Sequence, residues 1–250
     1  MTRALELIAS RCPSWANITP TVGGLAIDAT LKMESGKRYR VVHLLASYNG
    51  RASVKERGPA KWPTCCPERH IEPGGTFCLG KGPVLTLRCE EDADTWWAWL
   101  NEFLCSQFYV DRNRHWPSGR ALHHGDAADA QLKMEEIAFG TKFESDVRDC
   151  LEYRVGWLAG ELPRLSVDGT QLANLRAPCP RGCGKLNGKT IRQIYRKFHP
   201  TLRRKCRELN KITKLINLES ERRQKEKEFW EKLSGTHCCQ SVDTCPILRR

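Results

Sequence analysis

The sequence lacks any apolar run approaching 18 residues, so no segment reads as a membrane-spanning helix. It has no internal repeat, which removes solenoids and propellers. It has no pair of Cys-x2-Cys doublets, the strong signature of a closed structural zinc site. No aromatic stacking set accompanies its basic residues, as a surface for single-stranded nucleic acid would need. The opening stretch from Met1 to Ile8 is too short, and too soon broken by Arg11 and Pro13, to read as a secretory signal. The expectation is a cytoplasmic protein. In that reducing compartment cysteines pack, bind metal or catalyse more often than they cross-link.

What is present excludes a disordered or fibrous chain. The 250 residues are 40% hydrophobic and 28% charged, with 8 Trp. That length and composition suit one or two domains with a buried core. Two features stand out, a net charge of +12 and 13 cysteines. The charge is concentrated. Residues 185–232 hold 16 Lys/Arg against 6 Asp/Glu, whereas residues 1–184 are close to neutral. The chain reads as a near-neutral body carrying a basic helical arm. Such an arm is a solvated face of mixed charges, or else it meets nucleic acid or an acidic partner. Interleaving of Glu and Lys from Glu219 to Glu231 favours the solvated face.

The predicted class is α+β, an antiparallel meander with flanking helices. Residues 1–20 read as a short helical capping segment closed by Pro13 and Pro20. Leu25, Ile27, Ala29, Leu31 and Met33 alternate with Ala26, Asp28, Thr30 and Lys32, the period of a half-buried strand. Residues 39–46 form a second strand after the turn at 34–37, and a third surrounds Val54. The stretch 58–83 is rich in Pro and Gly, yet Trp62, His70, Phe77 and Leu79 give it apolar anchors. A long loop of this kind inside a compact domain is expected to be ordered and site-forming. Val84–Leu87 suggests a short strand. A helix over about 95–110 follows, capped by Asp92 or Asp94, with Trp96, Leu100 and Phe103 on its core side. Further helices are predicted near 127–138, 143–160, 189–197 and 202–233. The boundaries expected are a body over 21–162, a linker with a Cys/Gly motif over 163–190, and the arm with a Cys-rich tail over 191–250.

The chemistry-bearing string is His70-Ile71-Glu72-Pro73-Gly74-Gly75-Thr76-Phe77-Cys78-Leu79-Gly80. A cysteine thiolate is a strong nucleophile and its thioester is a reactive acyl donor. Gly74, Gly75 and Gly80 let backbone approach an acyl carbonyl closely, and backbone N–H groups there can stabilise its oxyanion. A second constellation, His115-Trp116-Pro117-Ser118-Gly119 with His123-His124-Gly125, offers a base or oxyanion donor from His115 or His124, or else a structural loop with capping histidines.

The order of meander, Pro-rich loop, His70, Cys78-Leu79 and Trp-rich helix resembles the ubiquitin-conjugating enzymes, and most closely their divergent bacterial members. The resemblance covers roughly residues 20–140. It implies a UBC-like fold with Cys78 as thioester-forming nucleophile and His70 beside it. It implies as partners a ubiquitin-like protein, an activating enzyme of the ubiquitin type and a protein substrate, with no cofactor needed for transfer. It also implies a bacterial conjugation system, with anti-phage defence as a setting. Where the family has Pro and Asn after the His, this sequence has Ile71 and Glu72, which puts the family Asn's role in doubt.

Other cysteines are read more plainly. Cys179-Pro180-Arg181-Gly182-Cys183 loosely resembles short zinc motifs, with His199 and Cys206, or His237, Cys238, Cys239 and Cys245, to complete four ligands. Cys65-Cys66 is a metal pair with partners elsewhere or, as favoured, packing, and Cys12, Cys89, Cys105 and Cys150 read as small core residues. The alternatives to a carrier enzyme are a catalytically silent scaffold of the same fold and a nucleic-acid binder acting through the arm.

Overall fold

The structure is a computed structural model that describes residues 1–32, 39–81, 83–119, 122–174, 208–243 and 245–247. Its contacts divide the chain into two compact units. One comprises Met1–Pro117 with Leu233–Arg250, the other Ser118–Lys232. The expected boundary at 162/163 therefore moves to 117/118, and the tail returns to the first unit. The reason is packing. The helices after 118 bury their apolar faces against one another and form a core of their own.

In the first unit, helix α1 (Arg3–Ser10) leads into strands β1 (Ala16–Thr21), β2 (Gly24–Lys32), β3 (Tyr39–Tyr48) and β4 (Ala52–Glu56). They form one antiparallel sheet in the order β1-β2-β3-β4, so the meander is as expected. Register sets Leu25 opposite Ala46, Ile27 opposite Leu44 and Ala29 opposite Val42. Because side chains alternate across a strand, this register collects the apolar residues on one face. Strand β1 corrects the expected capping segment. Pro20 sits on it without disrupting the ladder because β1 is an edge strand.

Helix α2 (Glu90–Asn113) runs longer than its apolar period predicts. Glu90, Glu91 and Asp92 occupy its first turn, where the positive end of the helix dipole favours them. Its N-cap is Cys89, and the Asp92 carboxylate accepts the Arg88 N–H at 2.9 Å. The helix ends at Arg114, which takes a left-handed conformation with φ 58. Trp96, Leu100 and Leu104 are fully buried in one core with Ile8, Ile27 and Leu44. Each such side chain stabilises by about 1.5–3 kcal/mol. The Val84–Leu87 strand is replaced by a 3-10 turn over Pro83–Thr86. Cys89 and Cys105 are exposed, which corrects their assignment to the core, whereas Cys150 is buried.

Among the described residues, the regular elements of the second unit are the helices α3 (Ala127–Ala138), α4 (Glu144–Tyr153) and α5 (Leu209–Lys232). Ile212, Leu215 and Ile216 of α5 are fully buried with Met134, Phe143 and Leu158. The basic arm as a solvated helix is thus corrected for residues 209–232, where α5 is a core helix. Its basic residues are matched locally. Arg222 and Arg223 both reach the buried Glu219 at 2.6 and 2.7 Å, and Lys225 reaches Glu221 at 2.6 Å. The predicted helix at 189–197 lies outside the described residues. Among the described residues no helix is long and apolar enough to cross a membrane.

Candidate active site

The Pro- and Gly-rich stretch after β4 is held by main-chain bonds, as an ordered loop must be. Phe77 N–H donates to Val54 O at 2.8 Å and ties the loop to β4. Cys66 and Ile71 exchange two main-chain bonds, at 2.9 and 3.0 Å. Trp62, Ile71 and Phe77 sink into the core of the first unit. Glu72-Pro73-Gly74-Gly75 closes a β-turn, with Gly75 N–H donating to Glu72 O at 3.0 Å. Gly74 has φ 88, the positive value that the third position of a type II turn requires.

Cys78 and His70 are brought together by the backbone. Cys78 N–H donates to His70 O at 2.8 Å. His70 caps the 3-10 turn Pro67–Arg69 with φ 53, and its ring packs on Trp116 with centroids 4.7 Å apart. Arg69, immediately before it, is 4% exposed. Its guanidinium donates to Gln107 Oε1 at 3.2 Å and to Asp111 Oδ1 at 2.9 Å, while Gln107 Nε2 donates to Arg69 O at 2.6 Å. Helix α2 therefore grips the loop through its polar side chains, and His70 is placed by that grip.

On the other side of the cysteine, Gly80 is fixed in two ways, and its N–H favours the Cys78 thiolate. Its carbonyl accepts from Arg51 Nη2 at 2.8 Å. Its Cα lies under the Trp99 ring, where a Cβ would come within 3.1 Å of the ring at φ 151. Cys78 is half-buried. That burial pushes its thiol above the ordinary value, the Glu72 carboxylate pushes it further, and the Gly80 N–H with Arg51 and Lys81 oppose both. At neutral pH the group is a thiol.

His115 and His124 make contacts of their own. His115 is exposed, its ring edge-on to Tyr109 at 5.3 Å and its Nδ1 3.1 Å from Trp116 O. His124 belongs to the second unit, where its Nδ1 meets Glu226 at 2.7 Å and its ring stacks on Phe229. Cys179, Cys183, His199 and Cys206 lie outside the described residues. Among the described residues no three His, Cys, Asp or Glu side chains group as a metal site. Sequence reasoning missed Arg51, Arg69 and Trp99, and it named Trp116 without its packing on His70. Arg51 and Arg69 sit at a turn and a 3-10 end, where no periodicity marks them. Trp99 and Trp116 are visible as aromatics, but only the fold shows what they cover.

A four-strand meander sharing a core with one long helix, with a cysteine and a histidine joined across a hydrogen-bonded loop, is the arrangement of a ubiquitin-conjugating-like fold. Residues 16–118 match the family model of a prokaryotic E2 domain, and residues 123–247 that of a cysteine-rich domain C-terminal to E2 domains. The chain belongs to this prokaryotic E2 family. Comparison with curated proteins and with solved structures gives no match.

Proposed function

We propose that the protein is a carrier in a bacterial ubiquitin-like conjugation pathway, working in the cytoplasm. Cys78 Sγ attacks the thioester carbonyl that joins a ubiquitin-like protein to its activating enzyme. The acyl group moves to Cys78 and the activating enzyme's thiolate leaves. An amine of the protein substrate then attacks the new thioester. The amide forms, Cys78 leaves as thiolate, and the proton lost by the amine returns the cysteine to its thiol. The Gly80 N–H favours the thiolate of the reacting sulfur, and the turn at Gly74 and Gly75 keeps side chains away from the approaching carbonyl. Anti-phage defence is the setting that the likeness to bacterial members suggests.

The observation that carries this reading is the coincidence of a match to the E2 domain over 16–118 with a part-exposed Cys78 set between His70 and Gly80. The test is incubation with the cognate activating enzyme, ubiquitin-like protein and ATP. The expected product is an adduct cleaved by thiol reductant. Cys78→Ser is expected to give a reductant-stable oxyester or no adduct. An unchanged reductant-sensitive adduct on Cys78→Ser would overturn the assignment. Binding of the ubiquitin-like protein without any adduct would point to the silent scaffold.

A further inference from the structure

Cys66 and Cys239 are separated by 173 positions in sequence, yet their sulfurs share a hydrogen bond at 3.1 Å. Both belong to the first unit, Cys66 on the loop that carries His70 and Cys239 on the segment that returns to pack there. Cys66 is 2% exposed and packs with Val110 and Val242, while Cys239 is only partly covered. The Ser241 hydroxyl lies 3.0 Å from Cys239 Sγ and itself accepts from Arg69 Nε at 2.9 Å. One sulfur thus opens to solvent beside a hydroxyl and a buried guanidinium, and the second waits behind it.

We infer that Cys66 and Cys239 form a peroxide-reactive dithiol site, in which Cys239 is oxidised first and Cys66 resolves it to a disulfide. A hydroperoxide, ROOH, supplies the oxidant. The Cys239 thiolate attacks the distal oxygen, the O–O bond breaks, and ROH leaves with one proton, giving Cys239–SOH. The Cys66 sulfur then attacks the sulfenic sulfur, the S–O bond breaks, and water leaves as the S–S bond forms. Two thiols are oxidised and one peroxide is reduced to an alcohol and water. The geometry favours this order. Cys239 is partly exposed beside the Ser241 hydroxyl and Cys66 is buried behind it, so a peroxide from solvent meets Cys239 first.

The disulfide also reaches the active site. Cys66 is main-chain bonded to Ile71 in both directions, and the intervening His70 accepts the Cys78 N–H. Cross-linking fixes the returning segment to the wall of the loop that holds Cys78.

The test treats the reduced full chain with hydrogen peroxide, blocks remaining thiols and maps tryptic peptides without reductant. A linked pair joining residues 62–69 to 233–249, two hydrogens lighter than the sum, is expected before Cys78 is oxidised. Cys65→Ser and Cys238→Ser should keep it. Cys66→Ala and Cys239→Ser should lose it, and the part-exposed Cys239 position keeps the test valid where Cys66→Ala fails to fold. Sulfenic or sulfinic acid at Cys239 without the linked pair, or the pair persisting in Cys239→Ser, would overturn the inference. No ubiquitin-like protein or activating enzyme enters this measurement, so its outcome is independent of the carrier reading.

Discussion

Cys78 works against its own surroundings. Burial and Glu72 hold it as a thiol, while Gly80, Arg51 and Lys81 favour the thiolate. Its alkylation by iodoacetamide, followed by peptide mass spectrometry, is therefore expected to keep accelerating past pH 9. Glu72→Gln removes a negative charge that raises the thiol, so the profile should move to lower pH. Arg51→Ala should move it the other way and also release the Gly80 carbonyl. A profile unchanged by both variants would show that neither charge acts on the sulfur. Gly80 is a separate matter of space and backbone. An alanine there meets the Trp99 ring at 3.1 Å in a conformation that glycine alone adopts readily. Gly80→Ala should cost about 1–3 kcal/mol and slow thioester formation by about tenfold or more while the circular dichroism of the helices is retained.

At the scale of elements, helix α5 and its partners form the clearest electrostatic unit. Burial raises the Glu226 carboxyl, but the hydrogen bond and charge of His124, with His123, more than offset this and hold it at about 2. A carboxylate held below its unfolded value of 4.5 stabilises fully above that pH. The contribution fades as pH falls from 4.5 through about 2. Over that window it amounts to about 3 kcal/mol, so urea midpoints of the native chain should fall steeply with acid and those of Glu226→Gln should fall less. None of this was legible in the sequence, where Glu and Lys alternate along 219–231 as they would on a solvated face. Burial of Glu219 between Arg222 and Arg223 needs the partner helices, which local spacing does not report. Strand β2 was legible because one face is buried and the other is not, so period two is written into its residues. Strand β1 was not, because an edge strand that exposes most of its side chains carries no such alternation. His70, Cys78 and the glycines were legible because a glycine-rich loop with a nucleophile is a local pattern. Arg51 and Arg69 act across 29 and 42 positions, and only the fold joins them to Gly80 and Asp111.

For the whole molecule, the two families matched and the two compact units divide the chain differently in one respect. The match to the cysteine-rich domain runs to residue 247, whereas the segment from Leu233 packs in the unit that holds the E2 domain. Most of the surplus charge in the arm also lies elsewhere than α5. Residues 185–208 hold 9 Lys/Arg and one acidic residue, against 7 and 5 in residues 209–232. The returning segment is bound by specific contacts: Arg69 to Ser241, Arg114 Nε to Asp243 at 2.7 Å, and fully buried Val242 on Cys66 and Val110. Losing a buried valine costs about 1.5–3 kcal/mol, and leaving the buried Arg69 Nε without its Ser241 acceptor adds to it. A chain ending at Lys232 should therefore melt about 10 °C lower in the transition of the first unit. The helices of the second unit should be unaffected. Val242→Ala in the full chain should reproduce part of that loss, whereas Thr236→Ala, on the same segment before Cys238, should reproduce none of it. If truncation left the melting of the first unit unchanged, residues 233–250 would not be part of that unit's stability, and the contacts at Arg69 and Val242 would be without thermodynamic weight.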